Sequence, residues 1–284
     1  MTEPRVYKHS PMIAVVFSLL FVGLIVFLSF GFTDGDLLTI AVMFLLFVFI
    51  FGIVIFTYSS KVLISDDEIS SQNILGMKTL RWTEIHRVSG RGYNIKLHNF
   101  DEDVTVSPSP QLPHYEEIVE WIGRKRPDLF SPQEFNEMNR GAGFLIGLSV
   151  FGAAVVAGIA FLAFQTADFS DVNLIYVALI LLVVLLFVFY RLAVSVPMSL
   201  TFEGNTLILR YLIGQKTLLA DEINFIQLTY SQSRNGKIYF VLVTLTNGKR
   251  IRLMGLNPNL PTAYLVLKNW HRSHVPIRQT NQWN

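Results

Sequence analysis

The sequence predicts a membrane protein of mixed α and β structure, with four transmembrane helices in two hairpins and two cytoplasmic antiparallel β-barrels, each closed by a C-terminal helix. Three observations predict it: four long uncharged apolar windows, an internal repeat at a spacing of 138 residues, and β-rich runs followed by one helix in each copy. Composition agrees, because 51% of the 284 residues are hydrophobic and 15% are charged. An average soluble domain has about 25% charged residues. High hydrophobicity also excludes intrinsic disorder.

The four windows contain no Asp, Glu, Lys, Arg or His, and each has close to the ~20 apolar residues that cross a hydrocarbon core. They are Met12–Phe32, Leu37–Tyr58, Gly143–Phe164 and Val172–Tyr190. A long buried core helix is the alternative, but such a helix normally shows a polar stripe. The first window is also longer than the apolar part of a signal peptide, roughly 7–15 residues. We therefore expect a retained span.

The connections within the two pairs of windows indicate a topology. Thr33–Asp36 and Gln165–Asp171 are short, acidic and free of Lys and Arg, so all 23 basic residues lie elsewhere. Cytoplasmic segments carry the Lys/Arg excess. The sequence therefore predicts a multi-pass protein of the cytoplasmic membrane, with both termini and both hydrophilic segments inside and both hairpin tips outside.

An internal repeat sets the domain organisation. Gly76–Ile85 (GMKTLRWTEI) matches Gly214–Ile223 (GQKTLLADEI) at six of ten positions, and the same shift aligns Val62–Ile69 with Leu200–Leu207. The plan is therefore a helical hairpin followed by a hydrophilic domain, twice. The predicted segments are an N-terminus (residues 1–11), hairpin 1 (12–58), domain 1 (61–130), a linker (131–142), hairpin 2 (143–190), domain 2 (191–275) and a tail (276–284).

Each hydrophilic segment is predicted to form six short strands and one helix. In domain 1 the helix is Pro113–Lys125, with Tyr115, Ile118, Val119 and Ile122 on its buried face. In domain 2 it is Pro261–Arg272. The predicted strands are Val62–Ser65, Ile69–Leu75, Thr79–Trp82, Ile85–Ser89, Tyr93–His98 and Val104–Val106, then Met198–Phe202, Thr206–Leu212, Lys216–Leu219, Ile223–Tyr230, Ile238–Thr246 and Arg250–Met254.

Strands closed by one helix, around a centre of the form G-x-K-T-L-x-W-x-E-I, resemble a bacterial pleckstrin-homology-like (PH-like) domain of membrane proteins. Gly76, Lys78, Trp82, Glu84 and Ile85 carry the resemblance in the first copy. The second copy keeps Gly, Lys, Glu and Ile but has Ala where the Trp stands, and each copy shows six predicted strands against seven in the family. The resemblance implies two tandem PH-like domains, each preceded by a transmembrane hairpin, in the inner membrane.

The motif residues have structural as well as binding interpretations. Leu80, Trp82 and Ile85 are expected in the domain core, with ligand stacking as the alternative for Trp82, whose buried indole N–H needs a partner. Lys78 and Lys216 either lie in solvent, pair with a neighbour or bind an anionic group.

Patterns that carry chemistry are missing from the sequence. There are no cysteines, the six histidines form no zinc-type spacing, and neither a Gly-rich phosphate loop nor a G-x-S-x-G elbow is present. The acidic run Asp101–Asp103 is expected at a solvated hairpin tip. We therefore predict no enzyme activity, no cofactor, no metal and no nucleic-acid partner.

Charge asymmetry is the main functional clue. Residues 61–140 hold 10 Lys and Arg against 13 Asp and Glu, whereas residues 191–284 hold 11 against 3. Plain positive-inside bias is one explanation, and a surface for anionic lipid or an acidic partner is the other, since each cation near such a membrane contributes ~1 kcal/mol. The candidate contacts are Lys216, Arg234, Lys237, Lys249, Arg250 and Arg252.

The sequence thus predicts an interaction or scaffold protein that presents its two PH-like domains to membrane lipids or to a membrane or cytoplasmic protein. A small transporter or channel component is the alternative, but it requires polar or charged groups that the windows lack. Gly143-x-x-x-Gly147, with Gly152 beyond it, favours close helix packing, either within the chain or in a homo-oligomer.

Overall fold

The computed structural model describes residues 4–31, 37–141, 143–165, 172–234 and 236–275. The chain divides into two compact units. Unit 1 comprises Met1–Gly90, Asn94–Leu129 and Asn235–Lys237, and unit 2 comprises Arg91–Tyr93, Phe130–Arg234 and Ile238–Asn284. In each of them the described residues form a helical hairpin, a four-stranded antiparallel sheet, a three-stranded antiparallel sheet and a closing helix.

Unit 1 is built in the sheet orders β1-β2-β3-β4 and β5-β6-β7. Its elements are β1 (Arg5–Lys8), α1 (Pro11–Gly31), α2 (Leu37–Tyr58), β2 (Lys61–Ile64), β3 (Glu68–Asn73), β4 (Gly76–Arg81), β5 (Arg87–Ser89), β6 (Lys96–His98), β7 (Thr105–Val106) and α3 (Tyr115–Lys125). Alternate strand residues are buried, as expected for a sheet with one covered face. Val62, Ile64, Ile69 and Leu80 form its centre and are at most 3% exposed.

Unit 2 repeats this plan in the sheet orders β11-β10-β9-β8 and β12-β13-β14. Its elements are β8 (Glu137–Asn139), α4 (Gly143–Gln165), α5 (Val172–Ser195), β9 (Ser199–Glu203), β10 (Thr206–Arg210), β11 (Gln215–Leu219), β12 (Ile223–Ser233), β13 (Gly236–Leu245), β14 (Arg250–Leu253) and α6 (Leu260–His274). The first two residues of β13, Gly236 and Lys237, belong to unit 1.

Each helical hairpin is inserted between two paired strands. In unit 1, Lys8 at the end of β1 lies opposite Lys61 at the start of β2. In unit 2, Asn139 of β8 lies opposite Ser199 of β9. Each unit therefore has seven strands. The prediction of six missed β1 and β8, because each is short, precedes its hairpin and has no turn linking it to its partner strand.

The closing helices follow the predicted patterns. Tyr115, Ile118, Val119 and Ile122 of α3 are all fully buried, which confirms the predicted face. In α6, Asn259 caps the N-terminus by accepting a hydrogen bond from Thr262 N at 2.8 Å. Nearly all residues from Leu260 to Leu267 are buried there, which is why this helix shows little amphipathic periodicity.

The prediction of four transmembrane helices is wrong. Among the described residues, one helix is long and apolar enough to cross a membrane, Gly143–Phe161 within α4. The apolar stretches of the other long helices, Val15–Val26, Ala41–Ile55 and Leu179–Ser195, have 10–17 residues, whereas a span takes about 20.

The multi-pass topology, the inner-membrane location and the cytoplasmic placement of both termini depended on four crossings, so they are corrected as well. The connections used to orient them, residues 33–36 and 166–171, lie outside the described residues, as does the tail 276–284.

The prediction of two closed barrels is also wrong. In the part of the chain that the structure describes, the strands form four separate antiparallel sheets, and each sheet ends in edge strands rather than closing on itself. The repeat fixed which strands pair but carried no signal for pairing between the first and last strands. The core positions survive this correction, since Leu80, Trp82 and Ile85 are at most 5% exposed.

Candidate functional site

The repeated motif forms the same local structure in both units. After β4 and after β11 the chain makes a single 3₁₀ turn, at Trp82–Glu84 and at Ala220–Glu222. Glu84 Oε2 accepts a hydrogen bond from Arg81 N at 3.0 Å, and Glu222 Oε2 accepts one from Leu219 N at 3.0 Å. The glutamate of the motif therefore caps a turn, and this contact explains its presence in both copies.

The motif tryptophan has a structural counterpart at another position of the second unit. In unit 1, Trp82 Nε1 donates to Ser65 O at 3.1 Å. The equivalent residue of unit 2 is Ala220, and there Trp270 of α6 donates through its Nε1 to Gly204 O at 2.8 Å. Both indoles are at most 5% exposed. Each unit thus ties one buried indole to the β-turn after its second strand, which favours the core interpretation of Trp82 over ligand stacking.

The C-terminal ends of the closing helices are joined to the last motif residue. In unit 1, Arg126 Nη1 donates to Ile85 O and, at 2.7 Å, to Trp82 O. In unit 2, His271 Nε2 donates to Ile223 O at 2.9 Å. Hydrogen bonds from Arg126 also hold the pKa of Asp128 below its usual value. These backbone carbonyls of the motif are therefore used internally to attach helix to sheet.

Three of the predicted contact residues lie together. Lys249, Arg250 and Arg252 occupy the turn after β13 and the edge strand β14, and all three are exposed. Arg250 and Arg252 are two residues apart in a strand, so they extend from the same face. The Arg252 guanidinium lies 5.0 Å from the ring centroid of Phe240. We call this group, Lys249, Arg250 and Arg252, the basic hairpin.

The turn of the basic hairpin, at Lys249 and Arg250, lies at the end of unit 2 opposite to its helical hairpin. β9 starts next to α5 at Ser199, and β11 ends at the far side of the same sheet at Leu219. Glu222 lies three residues beyond Leu219, and its carbonyl oxygen accepts a hydrogen bond from Thr246 N at 2.8 Å. Thr246 begins the turn that leads to Lys249. Five-residue strands separate the two ends by roughly 17 Å.

The other predicted contacts are dispersed. Lys216 is on edge strand β11, opposite Leu209 and close to the helical-hairpin end of the sheet. Arg234 is exposed in the turn between β12 and β13, at the other end of the ten-residue β13 from the basic hairpin. At about 3.3 Å per residue, that is about 30 Å away. The five candidate residues that belong to unit 2 do not form one surface.

Lys237 is bound to the protein itself. Its Nζ donates to Leu112 O at 3.0 Å within unit 1. Burial lowers the pKa of Lys237, and the charge of Glu116 opposes that change. An ammonium held in this way by a carbonyl is a structural contact and is not presented to a headgroup.

The remaining polar clusters also have local partners. His98 is bracketed by Ser89 Oγ at 2.7 Å and Thr105 Oγ1 at 3.1 Å. In the predicted acidic tip, Asp101–Asp103 is exposed, and Glu102 Oε1 lies 2.5 Å from Arg87 Nη1. Among the residues that the structure describes, no group of three or more His, Asp and Glu side chains could hold a metal ion.

An exposed apolar turn occurs at the same place in both units, and the sequence analysis did not single it out. The turn from β3 to β4 exposes Ile74, Leu75 and Met77, and the turn from β10 to β11 exposes Leu212 and Ile213. We call these the apolar tips. Two large aliphatic residues directly before a turn glycine, repeated at the 138-residue spacing, are the signal that could have indicated them.

Neither a protein-family model nor a curated protein matches the chain.

Proposed function

We propose that the protein is a non-enzymatic interaction protein, and that the basic hairpin of unit 2 recognises an acidic segment of a protein partner. The single observation that carries the proposal is the clustering of Lys249, Arg250 and Arg252 on one exposed hairpin. Asp221 and Glu222 lie near the same end, and the carboxylate of Glu222 is engaged with Leu219 N. Residues 241–254, which include this hairpin, contain these three cations and no acidic residue.

Distance favours an acidic protein over lipid headgroups as the partner of this hairpin. Of the described helices, α4 is the one long and apolar enough to enter a bilayer, and it begins at Gly143, beside β8. Lys249 and Arg250 lie roughly 17 Å away, at the far end of the sheet. Arg252 is four residues from Leu256, which bridges to Arg140, so at most about 13 Å of extended strand separates Arg252 from that bridge. The Debye length in physiological salt is about 8 Å, so headgroup charge is largely screened at that distance.

The repeated architecture supports the same proposal. The described residues of both units repeat the same strands and closing helix, so the protein presents equivalent turns and edges twice. The motif's glutamate, its indole and the residues at the helix ends serve internal contacts. Binding is therefore assigned to the exposed turns and edges.

Binding of a fluorescent poly-glutamate peptide to the full-length protein tests the proposal. The triple variant Lys249→Gln, Arg250→Gln, Arg252→Gln removes three exposed cations, each worth ~0.2–1 kcal/mol, so we expect about 3- to 150-fold weaker binding. The matched control removes the same charge elsewhere in unit 2, through Arg191→Gln, Arg234→Gln and Lys216→Gln.

Equal losses in both triple variants contradict a specific site and indicate net charge alone. Vesicles of phosphatidylcholine and phosphatidylglycerol serve as a second probe. If the basic-hairpin variant loses vesicle binding while peptide binding is unchanged, lipid and not an acidic protein is the ligand of this hairpin, and the proposal fails.

A further inference from the structure

The apolar tips are the most unusual exposed surface of the two β-sheet units. Leu75 is 83% exposed, the highest value among the large apolar side chains that the structure describes, and Ile213 is 55% exposed. Two adjacent aliphatic side chains at an exposed turn form no hydrogen bonds with water. The equivalent turn of the other unit also exposes two adjacent aliphatic side chains. Exposed apolar groups of this kind mark interaction surfaces.

Both tips lie at the end of the sheet from which the helical hairpin extends. In unit 1, Lys61 follows α2 directly and pairs with Gln72, two residues before Ile74. In unit 2 the contact is direct, since Ile213 N donates to Ala193 O of α5 at 3.3 Å. Each tip is therefore adjacent to the base of its own helical hairpin.

The helices that meet the tips are apolar on their surfaces as well. Leu19 of α1, Phe49 of α2, Val150 of α4 and Phe187 of α5 are each more than 60% exposed. In unit 2, where α4 is long and apolar enough to cross a membrane, a bilayer that α4 enters has its headgroup layer beside the tip.

Charge is distributed along each sheet in the same sense. At the tip end, unit 1 carries Lys8, Lys61 and Lys78, and unit 2 carries Arg191, Arg210 and Lys216. The carboxylates of both four-stranded sheets and their adjoining turns lie toward the opposite end: Asp66, Asp67, Glu68, Glu84, Glu137, Glu203, Asp221 and Glu222. Arg5 and Arg81 also lie at the end away from the tip in unit 1, so the separation of charge is complete only in the four-stranded sheet of unit 2. In both units, the cations beside the apolar turn fit an anionic headgroup layer.

We propose that each apolar tip inserts into the headgroup layer of an anionic lipid bilayer, with Lys78 in unit 1 and Lys216 in unit 2 contacting lipid phosphates. This surface differs from the basic hairpin, so the inference does not depend on the proposed acidic partner. It also assigns the conserved lysine of the repeat a role in binding, at the position where β4 and β11 leave the tip.

The chain contains no cysteine, so single labels can be placed in the full-length protein. Leu75→Cys and Ile213→Cys, each carrying an environment-sensitive fluorophore, report on the tips. Asp67→Cys and Asn205→Cys are the matched controls, because these exposed residues lie at the opposite end of the same sheets. The protein is reconstituted into vesicles of phosphatidylcholine, with or without phosphatidylglycerol and doxyl-labelled lipid.

We expect blue-shifted emission and strong doxyl quenching at both tips, and neither at the controls. Quenching at the tips increases when phosphatidylglycerol is present, and Lys216→Gln reduces this increase at Ile213→Cys about fivefold, the contribution of one cation at an anionic surface. The equivalent variant in unit 1 is Lys78→Gln.

Two results overturn the proposal. Tip labels that remain as water-exposed as the controls in both kinds of vesicle contradict insertion. Tip labels that are already blue-shifted in detergent, without quenching by doxyl lipid in vesicles, show that protein covers the tip. Circular dichroism of each labelled variant checks that a negative result does not arise from unfolding.

Discussion

The buried indole of each unit offers the sharpest test of the fold. Trp82→Phe keeps an aromatic ring in the core of unit 1 but removes the N–H that Ser65 O accepts at 3.1 Å. A buried acceptor that loses its donor costs about 1–3 kcal/mol. Trp270→Phe removes the bond to Gly204 O at 2.8 Å and is expected to have the same effect in unit 2.

Hydrogen–deuterium exchange of the full-length protein, resolved by peptide, measures the effect where it occurs. A loss of 1–3 kcal/mol accelerates exchange through local opening by about 5- to 150-fold. For Trp82→Phe we expect this in the peptides that cover β2, β3 and β4, with unit 2 unchanged. Trp121→Phe is the matched control, because Trp121 is half-buried on α3 with the Arg5 guanidinium 4.9 Å from its ring.

Unchanged exchange in β2–β4 after Trp82→Phe, or an equal change after Trp121→Phe, refutes the reasoning. So does a response in unit 2 to the unit 1 variant, because it would mean that the two indoles do not serve separate cores. The outcome thus tests whether Trp270 of the closing helix in unit 2 takes the structural role that Trp82 of the 3₁₀ turn has in unit 1.

Three further predictions follow from local contacts. Burial lowers the pKa of His9, so the folded protein binds fewer protons than the unfolded chain as the pH falls below about 6.5. Stability is therefore lost as the pH falls from about 6.5 through the lowered pKa. We expect His9→Gln to flatten the pH dependence of the melting temperature. Arg126→Lys keeps the charge but cannot reach two carbonyls with a planar fork, so we expect a destabilisation of about 1–3 kcal/mol in denaturant titrations, against no change for the exposed Arg124→Lys. Gly152→Leu drives a side chain into Phe189, whose Cζ lies 2.8 Å from the position of an added Cβ. We therefore expect the distance between spin labels on α4 and α5 to increase. Gly147→Leu meets open space and is expected to leave that distance unchanged.

Local patterns predicted the closing helices and the order of the strands. The face of α3 could be read from its spacing because one side meets the core and the other meets water. The repeat carried further than its six identities, because a turn, a capping glutamate and a backbone hydrogen bond recur at the same spacing. Asp67 O accepts from Trp82 N at 3.0 Å in one copy, and Asn205 O accepts from Ala220 N at 2.9 Å in the other.

Long-range pairing could not be predicted in the same way. β1 and β8 pair with strands that follow a whole helical hairpin, and Arg5–Lys8 has one buried side chain, Tyr7, in four residues. Trp270 compensates for Ala220 only once α6 is packed on the sheet. The apolar windows predicted four spans, whereas among the described residues one helix is long and apolar enough to cross a membrane.

The six candidate cations could be predicted from the sequence only as a group, because their positions in the fold could not be predicted. Net charge counts residues without position, so Lys237, bound to Leu112 O, and Arg234, at the far end of β13, looked equivalent to Lys249. Only the strand register shows that Lys216, at the tip, and the turn of the basic hairpin lie at different ends of unit 2. The apolar tips were visible in the sequence as a repeated pair of aliphatic residues, but their exposure is a property of the fold.

The insertion of each helical hairpin between paired strands leads to a last prediction. Because Lys8 and Lys61 lie opposite each other in an antiparallel pair, a two-residue Asn-Gly turn joins β1 to β2 without distortion. Replacing residues 9–60 by Asn-Gly should therefore leave the sheet of unit 1 intact, with exchange protection retained at the Ser70–Thr79 pair, whose hydroxyls are 2.9 Å apart. Loss of that protection would show that the helices hold the sheet together.

The same replacement in unit 2 should not be equally neutral. Asn139 pairs with Ser199, and Arg140 N donates to Met198 O at 2.7 Å, so residues 141–197 are the ones to replace. That deletion also removes Ala193 O, which Ile213 N requires as an acceptor. We therefore expect faster exchange confined to the tip of β10 and β11. Equal fraying of the tips in both shortened units would contradict it, because the described contact between tip and helix backbone exists in unit 2.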